Sequence, residues 1–264
     1  MEKATRKQLK DLRDLVRDKK VRDEKHLFVA EGIKIVTDMF KKGHMPVSVL
    51  LSDVLADKKE SSELAREFES SGVPVNFTRE ADINKISDLK NSQGIVAVMR
   101  KSEPVDFTEV AGRTVVVLCD GVQDPGNLGA MIRTSAAFNA SGILLTGETV
   151  DPYNPKVVRA SSGTLLDLPV KTCDLEQVVS LRNEGYRLLV SMPEAPTSLD
   201  VSELIQFQGP VIVCFGSEAR GVSLRLSELA DDYFTISIHE SVESLNVTVA
   251  AAITLFVLSK AQHR

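Results

Sequence analysis

Arg133 stands in the stretch LCDGVQDPGNLGAMIRTSAAF (118–138) as the only charge in a run that is small and apolar from Leu128 onward. On a helix, its neighbours three and four positions away are Gly129, Ala130, Ala136 and Ala137, all small. A guanidinium rising from such a floor leaves room for a ligand or a second chain to come close. Pairing with a structural carboxylate is the plainer role, and this segment alone does not separate the two. Just before it, DPGN sets Asn127 where a helix N-cap would stand, and capping is a sufficient reason for that residue. Two further polar clusters follow: GSEARGVS (216–223) and HESVESLN (239–246). In the second, Ser244 and Asn246 precede a run, VTVAAAITLFVLSK, that is apolar on nearly every side. Capping again suffices for them, and a helix with so little polar face is either central or covered by a partner chain.

Familiar chemistries fit these clusters poorly. Gly121, Gly126 and Gly129 do not fall into the G-x-G-x-x-G spacing of a dinucleotide loop. GSEARGVS has the glycine spacing of a phosphate-binding loop but carries Val222 where the lysine must stand. The four histidines show no metal-ligand spacing, and no G-x-S-x-G elbow marks a hydrolase.

The elements that must position these residues read as alternating strands and helices. Apolar runs at 113–120, 142–146, 186–192, 210–216 and 233–238 suit a mostly parallel sheet covered on both faces. Helical stretches lie between them near 127–138, 155–161, 174–184 and 222–229, and a last one spans about 246–260. The three polar clusters each follow a strand, so they fall at the carboxyl edge where such sheets bind ligands. Ahead of this lies a smaller α/β domain over 1–102. Its helices are expected at 4–18, 31–42, 57–71 and 80–88, and its short strands at 47–51, 73–77 and 94–99 with parallel pairing. Residues 103–112 read as a linker and 113–264 as the second domain.

Composition narrows the class. With 43% hydrophobic and 26% charged residues the chain is globular, and no apolar run is long enough for a membrane span. The charged N-terminus lacks the core of a secretory signal, and three scattered cysteines suit buried thiols of a reducing cytoplasm. Net charge is −5, but the first 26 residues hold ten Lys/Arg against six Asp/Glu. That arm is either a solvated amphipathic helix or a grip on RNA phosphates.

Three clusters in this order resemble the motifs of the SpoU/TrmH family of RNA 2′-O-ribose methyltransferases. DPGNLGAMIRTSAAF is similar to the first motif, VIVCFGSEARGVS to the second and ISIHESVESLNVTVAAAI to the third. HLFVAEGIKIVTDM and NSQGIVAV resemble the substrate-binding domain that often precedes them. The resemblance implies an α/β sheet whose segment from about 209 to 264 forms a trefoil knot, and a homodimer. It implies Asn127, Arg133, Glu218, Ser244 and Asn246 as catalytic residues, and Gly216, Ile236 and Leu245 as contacts of S-adenosylmethionine. It also departs from the pattern: Ser237 and Ile238 follow Ile236 where proline and methionine are usual, which puts that loop's rigidity in question. Ala219 stands where glycine is frequent.

The implied reaction moves a methyl group from a sulfonium to a ribose 2′-hydroxyl, which needs alignment and desolvation and no metal. The family assigns the base to the position of Arg133. A guanidinium resists deprotonation, and gripping the neighbouring phosphate while stabilising the developing alkoxide is its better physical role. RNA phosphates would meet Arg17, Lys19, Lys20 and Arg22 of the basic arm, with Lys156 and Arg159 in NPKVVRASSG. By family habit ribosomal RNA is the expected substrate. A transfer-RNA enzyme, a nucleotide-dependent enzyme and a non-catalytic RNA-binding dimer on the same fold are the alternatives.

Overall fold

The apolar runs become strands and the amphipathic stretches become the helices that cover them. The computed structural model describes residues 2–89, 91–103, 105–107, 114–192 and 198–262. Two units result, one of residues 1–102 with 151–166, the other of 103–150 with 167–264.

In the first unit the chain runs β1 (Glu2–Lys3), α1 (Arg6–Arg17), α2 (Lys19–Lys25), β2 (Leu27–Glu31), α3 (Ile33–Lys41) and β3 (Ser48–Ser52). It continues through α4 (Asp53–Ala56), α5 (Lys59–Ser70), β4 (Val75–Thr78), α6 (Glu80–Ile86) and β5 (Ile95–Arg100). Thr5 and Gln8 close a capping box that starts α1. The helix then buries Leu12, Leu15 and Val16 against Val29, Leu50, Val96 and Val98 of the sheet and Ile83 and Ile86 of α6. The strand order is β1-β4-β3-β5-β2. β1, β4 and β3 are parallel, but β5 runs antiparallel to both β3 and β2. The expected all-parallel pairing is therefore corrected. A continuous apolar run such as IVAVM looks the same whichever way it points.

The second unit opens with β6 (Val115–Asp120), α7 (Pro125–Ala137) and β7 (Gly142–Thr146). Residues 151–166, with α8 (Pro155–Ala160), then pack in the first unit. This corrects the assignment of that segment to the second domain. Arg22 pairs with Asp151, Tyr153 lies 5.1 Å from Phe28, and Arg159 grips Asp88 with two bonds. The chain returns for β8 (Val170–Thr172), α9 (Leu175–Asn183), β9 (Arg187–Ser191), β10 (Leu199–Asp200) and a 3-10 helix (Val201–Gln206). It ends with β11 (Val211–Gly216), α10 (Leu224–Ser227), β12 (Asp232–Thr235) and α11 (Val247–Gln262).

These seven strands form one parallel sheet in the order β10-β12-β9-β11-β6-β7-β8. β6 is buried along its whole length, as a strand with both faces covered must be. One face packs Val116, Leu118, Ile212 and Cys214 with Val178 and Leu181 of α9. The expected linker is partly core: Phe107 joins this cluster, and its carbonyl accepts the Tyr186 hydroxyl at 2.8 Å. Residues 104 and 108–112 of that linker lie outside the described residues. All three cysteines are buried and free, and burial pushes the Cys119 and Cys173 thiols up to about 12. Among the described residues no helix is long and apolar enough to cross a membrane.

Candidate active site

Because β6, β11 and β12 are parallel, the loops that leave them emerge on one edge of the sheet. β6 and β11 are direct neighbours, in register from Val115 with Val211 to Asp120 with Gly216. β6 is followed in sequence by β7 on its other side, so its carboxyl end is a topological switch point.

Asp124, not Asn127, caps α7. Its carboxylate accepts the Asn127 backbone N–H at 2.8 Å, with Pro125 at the first helical position. The sequence reading of Asn127 as the cap is corrected, and its side chain is thereby available for other bonds. Asn127 Nδ2 donates to Glu218 Oε1 at 2.7 Å. Asn246 Nδ2 donates to the same oxygen at 2.9 Å and to Asn127 Oδ1 at 3.2 Å. Asn246 does cap its helix, since its Oδ1 accepts the Thr248 N–H at 2.9 Å and the Thr248 hydroxyl. That bond fixes which end of the amide points at Glu218. Residues 119 and 91 positions apart thus close one hydrogen-bonded triangle.

Glu218 is held by a pinched loop. Ser217 and Gly221 exchange two backbone bonds of 3.1 and 2.8 Å, and Gly221 takes a φ of +66°. Gly216 serves that pinch: a Cβ here would lie 2.0 Å from the Gly221 carbonyl carbon and 2.1 Å from the Val222 nitrogen. Gly216→Ala is therefore expected to cost about 1–3 kcal/mol, read as a lowered unfolding midpoint in urea. Asp120, which the sequence reading passed over, secures the far end of the loop. It is 6% exposed, and its two oxygens accept the Ser223 N–H at 2.7 Å and the Thr146 hydroxyl at 3.0 Å. An aspartate closing an apolar strand just before a glycine was the available signal.

Arg133 is exposed on α7, roughly opposite the face buried by Leu128, Met131, Ile132 and Ser135. Ile236, Ser244 and Leu245 line a cavity of about 560 Å³ with Met192, Ile238 and Val242. Gly216 is not among its lining residues, which leaves the close approach of Gly221 and Val222 as its observed role. The cavity has the size of a small-molecule site, and its walls mix apolar side chains with hydroxyls and carboxylates. Ile238 and Val242 stay exposed there, beside the carboxylates of Glu240 and Glu243. Apolar surface suits a purine, and the carboxylates of Glu240 and Glu243 suit the positive charge of a sulfonium.

The expected phosphate contacts divide. Arg17, Lys19, Lys20 and Lys156 are exposed. Arg22 is 3% exposed and committed to Asp151, which corrects its assignment to RNA. Arg159 holds Asp88 at 2.7 and 2.9 Å, so its charge is also already met by a carboxylate.

The SpoU rRNA Methylase family model matches residues 114–256, and that of an MRM3-like substrate binding domain matches residues 6–97. An uncharacterized tRNA/rRNA methyltransferase of Synechocystis is 36% identical over 182 residues, 67% of this chain and 64% of that protein. The chain thus spans just under two thirds of that relative. The 23S rRNA (guanosine(2553)-2′-O)-methyltransferase RlmP of Bacillus subtilis is 29% identical over 259 residues, 98% of each chain. The crystal structure of the AdoMet-bound rRNA methyltransferase from Sinorhizobium meliloti is similar at a TM-score of 0.82 and 28% identity, covering 100% of this chain and 97% of that one. With the family model spanning all three polar loops and the triangle they form, the chain belongs to the SpoU rRNA methylase family.

Proposed function

We propose that this SpoU-family protein, an S-adenosylmethionine-dependent RNA methyltransferase, methylates a ribose 2′-hydroxyl of ribosomal RNA. The observation that carries the reading is the meeting of Asn127, Glu218 and Asn246 in one hydrogen-bonded set, with Asn246 next in sequence to Leu245 of the 560 Å³ cavity. RlmP, alike over nearly its whole length, bears a ribosomal RNA substrate in its name.

When bound, S-adenosylmethionine supplies a methyl group already activated on a sulfonium. Ile236 and Leu245 would hold it in the cavity, with Ser244 on the same wall. Asn127 and Asn246, oriented by Glu218, would fix the ribose and exclude water. Arg133 would grip the adjoining phosphate and stabilise the charge gathering on the 2′-oxygen, whose proton leaves to phosphate or water.

A homodimer belongs to the same reading, supported by the apolar face that α11 leaves exposed at Val249 and Phe256. So does the trefoil knot, supported by the return of the chain from β12 past the Glu218 loop to α11, which packs on α7. A cytoplasmic location fits three buried free thiols.

Calorimetric titration with S-adenosylmethionine, together with mapping of 2′-O-methyl sites in total RNA with and without the gene, tests the function. Saturable binding and the loss of one ribosomal RNA site are expected. A chain that holds RNA and ignores S-adenosylmethionine would be a binding protein on the same fold, and a lost transfer-RNA site would reassign the substrate. RNA affinity is expected to fall with salt at a log–log slope of about −3, for four phosphate contacts at Arg17, Lys19, Lys20 and Lys156. Affinity indifferent to salt would make the basic arm a solvated helix.

A further inference from the structure

The cavity wall at Ile236–Ile238 lies just past the end of β12, where strand pairing has stopped. Asp200 is paired with Thr235, the last residue of β12, and among the described residues no ladder pairing continues past it. His239 and Ser241 bond to each other, and the Val242 N–H bonds to the His239 carbonyl, so those contacts stay inside the loop. Among the described residues, Ser237 is the one through which residues 236–243 are hydrogen-bonded to another element: its hydroxyl donates to Asp200 Oδ2 at 2.8 Å.

Asp200 is itself rigidly held. It starts the 3-10 helix with a capping box: its Oδ1 accepts the Ser202 N–H at 2.9 Å and the Ser202 hydroxyl at 2.5 Å. Its own N–H is taken by Glu203 at 2.8 Å. One carboxylate oxygen therefore serves its own helix and the other serves the loop. Hydrogen bonds from Ser202, and then from Ser237, keep this carboxyl below its ordinary range, so it stays an acceptor at neutral pH.

We infer that Asp200 is a positioning residue for the donor site, and that its bond to Ser237 sets the main chain of the cavity wall at Ile236 and Ile238. The inference rests on the reading of this cavity as the S-adenosylmethionine site. A serine tethered to an anchored carboxylate does by hydrogen bonding what a proline would do by fixing φ. It explains how the loop keeps its shape at the position where the sequence departs from its motif.

Titration calorimetry on the full chain tests it, with S-adenosylmethionine as the probe. Ser237→Ala removes the hydroxyl bond of the tether, keeps the main-chain N–H of residue 237 beside the same carboxylate and leaves the cap of the 3-10 helix intact. It should weaken binding by about tenfold, raise KM alike, and leave kcat at saturation within about twofold of wild type. Ser237→Pro should restore most of the affinity. Asp200→Ala loses the cap as well, yet adding Ser237→Ala to it should weaken binding no further. Wild-type affinity in Ser237→Ala, or additive losses in the double variant, would overturn the inference. Should the wild-type chain itself not bind S-adenosylmethionine, the reading of the cavity fails instead, which the same titration distinguishes.

Discussion

Replacing Arg133 with alanine is expected to lower the methyl-transfer rate by about 10²–10³ while S-adenosylmethionine affinity is retained. The substitution can be read cleanly, because α7 carries its packing on Leu128, Met131, Ile132 and Ser135 and leaves Arg133 exposed. The loss in rate follows from where charge develops. As the 2′-oxygen attacks, it sheds its proton and approaches an alkoxide, beside a phosphate that is already negative. In the proposed mechanism the Arg133 guanidinium would meet both with a planar set of donors and stay charged throughout. Arg133→Lys keeps the charge and loses the fork, so it should recover only part of the rate. If its rate instead climbs with pH to an inflection near lysine's ordinary value of about 10.4, the residue at 133 is the base. A wild-type rate in Arg133→Ala would remove the residue from the site altogether.

Sequence patterning made the second unit legible because its strands are buried on both faces, and continuous apolar runs such as VVVLC and VIVCF have few other uses. It was weaker wherever two or three residues pair at an edge. β1, β8 and β10 are too short to carry a period, and β2 was hidden beside the start of α3. The strand expected at 233–238 stops at Thr235, because the pairing partner β10 ends with Asp200. The site shows the same division. Asn127, Glu218 and Asn246 were each legible as residues, but only the fold shows that two amides share one carboxylate oxygen. Asp120 shows in the sequence only as an aspartate closing an apolar strand and Asp200 not at all, since their work is done on Ser223 and Ser237, 103 and 37 positions away.

Arg22 was misread for the opposite reason: its local neighbourhood is basic and solvated, while its partner lies 129 positions downstream. Its Nη1 donates to the carbonyls of Leu15 and Val16 at 2.8 and 3.2 Å, two of those that the end of α1 leaves without helical partners. Its Nε and Nη2 hold Asp151 Oδ2 at 3.0 and 2.6 Å, and Asp151 in turn accepts the Tyr153 N–H at 3.0 Å. The two side chains are only 4% and 9% exposed. Cutting Arg22 to alanine leaves a buried carboxylate without its cation and two helix-end carbonyls without a donor. The expected cost is about 3–5 kcal/mol, measured by urea unfolding of the full chain. Arg22→Met should cost nearly as much, because the volume is kept but the carboxylate still lacks its cation. Adding Asp151→Asn to Arg22→Met should recover a large part, because the uncompensated charge is then gone. A phosphate contact would behave differently: Arg22→Ala would keep wild-type stability and weaken RNA binding in a salt-dependent way. That result would return Arg22 to the RNA-binding surface and leave α1 and residues 151–166 to be held by apolar packing.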